Sequence, residues 1–295
     1  MSDTAIATPG RFTTLISATE LALHVGDPHW VTLDCRHDLA DPQAGQTAYA
    51  AGHISGAHFA SIDRDLSDKT PAPDGHFRGR HPLPTRAALI ATLRAWGIDD
   101  ATQVVAYDAH GGMFAARLWW MLRWVGHAAV AVLDGGLPAW TAAAQAVSTV
   151  PETVAHSGNI SEQPALVTTV SAADLLANLP EQKRTVIDAR APDRFRGENE
   201  TLDPVGGHIP GAKNRFFKDN LDAQGCFKPA GELRAGFAGL LDDPATAVMQ
   251  CGSGVTACHN LLALEIAGLP GAALYPGSWS EWCADGTRPI ARGEL

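Results

Sequence analysis

Short apolar, β-branched runs bounded by turn residues recur along the chain: Val31–Leu33, Val104–Ala106 and Val130–Leu133, then Thr185–Ile187, Ala247–Met249 and Ala272–Leu274. They read as strands, and between them lie runs with helical spacing such as Thr85–Trp96 and Phe114–Val125. Strands alternating with helices predict an α/β fold whose mainly parallel sheets are flanked by helices, with active sites at the carboxyl ends of strands. Asp108 and Cys251 each follow such a strand directly.

The pattern occurs twice. Val31-Thr-Leu-Asp-Cys-Arg36 matches Val186-Ile-Asp-Ala-Arg190, and Gly52-His-Ile-Ser-Gly-Ala57 matches Gly207-His-Ile-Pro-Gly-Ala212. Val104-Val-Ala-Tyr-Asp108 pairs with Ala247-Val-Met-Gln-Cys251, and Asp134-Gly-Gly-Leu-Pro-Ala-Trp140 with Pro276-Gly-Ser-Trp-Ser-Glu-Trp282. Four landmarks in the same order point to a duplicated domain. The aperiodic stretch 146–168, rich in Ser, Thr, Pro, Gly and Asn, reads as a linker between a domain over 1–145 and one over 169–295. A length of 295 residues agrees with two domains of about 150 residues each.

Hydrophobic residues make up 45% and charged residues 18%, the balance of a globular protein. A formal net charge of −10 argues against nucleic acid as a partner. No run approaches the roughly 20 apolar residues of a membrane span, and residues 1–10 lack a secretory pattern, so a cytoplasmic protein is expected. The five cysteines, at 35, 226, 251, 258 and 283, suit free thiols better than a disulfide framework. Helical spacing puts Cys258 and His259 on different faces and Cys251 ahead of the helix, so these three do not compose a zinc site. Neither a metal nor a cofactor is expected. Cys258 reads as packing, and His259 as a satisfied helix residue.

The chemistry concentrates in Cys251-Gly-Ser-Gly-Val-Thr256, between a strand and an amphipathic run. The glycines let successive N–H groups point inward and the following helix adds its positive end, a setting that favours a thiolate in an exposed turn and holds an anion above it. Gly252, Ser253, Gly254, Val255 and Thr256 would form this cradle, which couples a nucleophile, Cys251, to an anion site. Trp279 could wall the pocket, whereas Trp282, Trp119, Trp120 and Trp124 read as interior.

With these motifs in hand, the chain resembles the two-domain sulfurtransferases of the rhodanese family over nearly its whole length. The resemblance implies two tandem rhodanese-like domains, the first catalytically silent with Asp108 at the cysteine's place. The run Cys-Gly-Ser-Gly-Val-Thr-Ala-Cys-His is similar to enzymes of the family that use 3-mercaptopyruvate; those that use thiosulfate typically follow the cysteine with Arg-Lys. The family also implies a relay of Ser253 with a histidine and an aspartate of the first domain. Their nearest counterparts are His81, in His81-Pro-Leu-Pro84, and Asp63, with His76 as the alternative histidine. Arg194 matches a substrate-binding arginine, and Arg190 a brace for the loop. A second arginine, nine residues after the first in some of these enzymes, is here Asp203, which leaves Arg196 or another cation to help bind a carboxylate.

The implied activity moves sulfur from a small anionic donor, 3-mercaptopyruvate or thiosulfate, to a thiol, cyanide or thioredoxin, with Cys251 accepting the sulfur, holding it as a persulfide and surrendering it to the acceptor. Thiosulfate:cyanide transfer as the main activity is the near alternative. A non-catalytic rhodanese-like module for binding or redox sensing is the alternative of another class. Phosphatase chemistry fits poorly, because Ala257 stands where a phosphate-clamping arginine is needed.

Overall fold

The computed structural model describes residues 11–293. Its strands are β1 (Leu15–Ile16), β2 (Trp30–Asp34), β3 (His53–Ile54), β4 (His58–Phe59), β5 (Gln103–Tyr107), β6 (Val130–Leu133), β7 (Val147–Ser148), β8 (Thr185–Asp188), β9 (Lys213–Asn214), β10 (Ala247–Gln250) and β11 (Ala273–Leu274). The helices are α1 (Ala18–Ala22), α2 (Ala44–Ala51), α3 (Arg86–Ala95), α4 (Ala115–Trp124), α5 (Gly136–Ala142), α6 (Ala172–Asn178), α7 (Pro192–Arg196), α8 (Ala230–Phe237), α9 (Thr256–Ile266) and α10 (Ser278–Ala284). None of the described helices is long and apolar enough to cross a membrane.

Two parallel sheets form, in the order β1-β6-β5-β2-β4 and β11-β10-β8-β9. The central strands β5, β6 and β10 are buried at every position, as their unbroken apolar runs require. Helix starts follow local chemistry. Thr85 caps α3 by accepting from the Ala88 amide, and Ser17 and Ser171 form reciprocal capping boxes with Glu20 and Asp174.

The duplication extends to side-chain geometry. Arg36 forks onto Asp34 (Nη2 to Oδ2, 2.6 Å) and donates to the Gly52 carbonyl at 2.7 Å; Arg190 forks onto Asp188 (2.6 Å) and donates to the Gly207 carbonyl at 2.6 Å. His53 stacks on Tyr49 at 3.9 Å and His208 on Phe195 at 3.8 Å, and Nδ1 of each histidine meets the backbone carbonyl of the residue it stacks on. The Gly-His-Ile landmark is thus a clamp that fixes the arginine following β2 in the first half and β8 in the second.

The halves share a core. One apolar cluster runs from Leu33, Leu89 and Val104 through α4 to α9 and on to Met249 and Leu274. Trp119 and Trp120 lie inside it, as read from their spacing. The segment 146–168 is tied to the first half: β7 pairs antiparallel with β3, and the Gly158 and Ile160 amides donate to the Arg94 and Ile98 carbonyls.

Candidate active site

Cys251 follows β10 directly, and the last landmark holds its loop. The Cys251 amide donates to Ser278 Oγ, and the Trp279 and Ser280 amides at the start of α10 donate to the Cys251 and Gly252 carbonyls at 2.9 Å. In the first half the Leu137 amide plays the same part for Asp108, at 2.8 Å. Gly254 sits at φ +76° with its α-carbon against the Pro276 carbonyl, a place where a side chain has no room.

The first half displays what this loop geometry is built to hold. Asp108 turns its carboxylate back into its own loop and accepts from the amides of His110, Gly112, Phe114 and Ala115, at 2.7 to 3.0 Å. It fills an anion cradle with a built-in anion. Among the described residues no carboxylate reaches the amides of residues 252–256.

The exposed turn expected at 251–256 is instead buried: Cys251 is 2% exposed and Ser253 5%. The cause is the first half, which closes over the loop. Cys251 forms part of the wall of a cavity of about 130 Å³, together with Gly252, Ser253, Val255 and Thr256, Phe114 from the first half, and the guanidinium-bearing Arg80, Arg190 and Arg194. A second cavity of about 530 Å³ adjoins it, and Arg80 and Leu39 line both.

His81, 5% exposed, reaches across with Nδ1 2.7 Å from Ser253 Oγ. Its Nε2 lies 3.3 Å from Asp63 Oδ1. A carboxylate only accepts, so the ring proton belongs on Nε2, and Nδ1 is left to accept the Ser253 hydroxyl. Burial pushes the His81 imidazole below the ordinary value of 6.5, against the pull of Asp63. The hydrogen bond from His81 holds the Asp63 carboxyl well below the usual range, with burial opposing and Lys69, at 2.5 Å, assisting. His76 lines the outer cavity but does not reach Ser253: it is exposed and paired with Glu281 at 2.9 Å.

Arg194 lines the inner cavity, steadied by Glu200 (2.8 and 3.0 Å) and Asp203 (3.4 Å). Arg196 does not reach it; its guanidinium grips Glu198 at 2.7 and 2.8 Å, facing away because α7 turns successive side chains apart. A second guanidinium reaches the inner cavity from the first half: Arg80, which pairs closely with Asp203 across the halves. A methyl group placed on Gly252 would stand 2.7 Å from Arg80 Nη2, so this guanidinium lies directly over the loop. Arg190 stacks over the fully buried Trp279 at 4.7 Å and braces the site from behind.

The sequence reading missed Arg80 and Arg117. Arg117, fully buried on α4, donates to the Gly254 carbonyl at 3.0 Å and to the His81 carbonyl at 3.1 Å, coupling loop and histidine. Burial pushes its pKa down, while the sulfurs of Cys258 and Cys251 pull it up. Cys258 is buried and its thiol is pushed up to about 12, chiefly by desolvation. His259 is satisfied by the Gly111 carbonyl at 2.9 Å and by Asn220 at 3.2 Å.

Comparison with known proteins supplies the family. The model of the rhodanese-like domain matches twice, over residues 17–143 and 171–285. This chain belongs to the rhodanese family of sulfurtransferases. Within that family it is 48% identical to a Pseudomonas aeruginosa protein named "Probable 3-mercaptopyruvate sulfurtransferase", over 95% of this chain and 98% of the other. It is also 43% identical, over 95% of its length and 97% of the other, to a Mycobacterium tuberculosis protein that carries a thiosulfate sulfurtransferase name. The solved 3-mercaptopyruvate sulfurtransferase of Escherichia coli superposes with a TM-score of 0.78 at 32% identity, covering 91% of this chain and all of that one. The family's tandem α/β architecture is the one described above.

Proposed function

We propose that this enzyme takes sulfur from 3-mercaptopyruvate, carries it as a persulfide on Cys251 and delivers it to a thiol, cyanide or thioredoxin. Arg194 and Arg80 face the donor carboxylate from the two halves, and the amides of residues 252–256 hold the sulfur anion as the first-half cradle holds Asp108. The Cys251 thiolate attacks the donor sulfur, a sulfur–sulfur bond forms, and the carbon–sulfur bond breaks with its electron pair left on the enolate of pyruvate. The donor's thiol proton passes to Ser253, whose own proton moves to His81, and returns from there to the enolate carbon. Asp63 steadies the imidazolium formed in between. Sulfur stays on the protein throughout, so the chemistry calls for no cofactor. Five free cysteines fit a reducing compartment such as the cytoplasm.

The observation that carries the reading is the chain from Asp63 through His81 to Ser253, which ends inside the Cys251 cavity. Thiosulfate has no use for it, because sulfite departs without a proton. Catalytic efficiency is therefore expected to favour 3-mercaptopyruvate when thiocyanate formation is followed with each donor. His81→Gln should cost roughly 100-fold or more in kcat with that donor and little with thiosulfate. Equal losses with both donors, or a preference for thiosulfate, would contradict the assignment.

A further inference from the structure

The outer cavity holds a group of side chains that sulfur transfer does not fully use. His37 lines it beside Asp63, Lys69 and His81. His37 is only 7% exposed, and among the described residues neither ring nitrogen has a hydrogen-bond partner. It packs edge-on against Phe114 at 5.3 Å and against His81 at 6.4 Å. One ligating atom each from His37, Asp63 and His81 lies within 4.8 Å of the other two.

We propose that His37, Asp63 and His81 form an inhibitory site for a divalent first-row cation, with Zn²⁺ the best match. Two imidazoles and one carboxylate with a position open to a cavity are a zinc donor set, and too nitrogen-rich for Mg²⁺ or Ca²⁺. Lys69 holds Asp63 through an ammonium on a side chain 51% exposed, so it can swing into solvent and release the carboxylate.

The inhibition follows from the tautomer and rests on the relay proposed above. Sulfur transfer needs the His81 proton on Nε2 and a lone pair on Nδ1 facing Ser253. A metal needs the lone pair of Nε2, the nitrogen beside Asp63, and this drives the proton to Nδ1. That nitrogen then donates to Ser253 and can no longer accept from it. The ion would disable the relay without touching Cys251, and only turnover that depends on the relay would suffer.

The test separates site from relay. Cys251→Ser full-length protein, which removes the competing thiolate, is titrated with Zn²⁺ by calorimetry and with Co²⁺ by visible absorption. One ion per chain is expected, with a tetrahedral cobalt spectrum that lacks a sulfur charge-transfer band, and His37→Gln should weaken binding at least about tenfold. In otherwise unchanged enzyme, His37→Gln should keep its basal turnover and need at least about tenfold more Zn²⁺ for half-inhibition, at matched donor concentration so that chelation by the donor cancels. Absence of binding, a sulfur band, or undiminished inhibition of His37→Gln overturns the site and leaves the relay standing. Binding at His37 without loss of 3-mercaptopyruvate turnover overturns inhibition and the relay together.

Discussion

Asp203 illustrates how far single residues could be read. From sequence it is an acid where a substrate arginine was wanted, and it left the second cation unassigned. In the fold it is a buried carboxylate between Arg80 and Arg194, its pKa raised by burial against the pull of Arg80. That the donor carboxylate needs a second cation was legible; which cation was not, because Arg80 lies more than a hundred positions from Asp203, in the other half. Arg196 was chosen for its nearness in sequence, but a five-residue helix points neighbouring side chains in different directions. If Arg80 helps hold the donor carboxylate, Arg80→Met should raise KM for 3-mercaptopyruvate about tenfold or more, the worth of one charged hydrogen bond, with a smaller effect on kcat. Steady-state kinetics that show kcat falling while KM stays unchanged would make Arg80 a structural tie only.

Among the elements, the long buried strands and α3 and α4 were readable to within a residue or two, since each is long enough for its apolar spacing to show. Of the two-residue strands, β11 was readable from the apolar run around it, whereas β1, β3, β4, β7 and β9 were not, because a pair of residues carries no period. The Cys251 loop was recognisable as an anion cradle from its glycines, yet its burial was not, since the cover comes from another element. Within the loop, Gly254 bears the tightest constraint, combining a left-handed backbone with contact against Pro276. Gly254→Ala should cost about 1–2 kcal/mol for the dihedral alone, plus the clash, and should cut activity at least about tenfold by displacing the amides around it. Denaturant melts and initial rates check this; an unchanged rate would mean that the loop tolerates another path.

The whole molecule was legible as a duplication, and its symmetry is now visible in the matched arginine clamps and in the two loops, one filled by Asp108 and one open at Cys251. What sequence did not convey is the interdependence of the halves. α4 packs against α9 in one continuous core, Arg117 ties the second-half loop to a first-half histidine, and Arg80 meets Asp203. The first half therefore covers the Cys251 loop and contributes side chains to it, while its own loop is stoppered by the Asp108 carboxylate. All of this converges on one sulfur atom. After treatment with 3-mercaptopyruvate and no acceptor, peptide mass mapping should find a gain of about one sulfur, ~32 Da, on Cys251 and its loss when cyanide is added. An unmodified Cys251 in a protein that still turns over, or sulfur retained on Cys226 instead, would contradict the account.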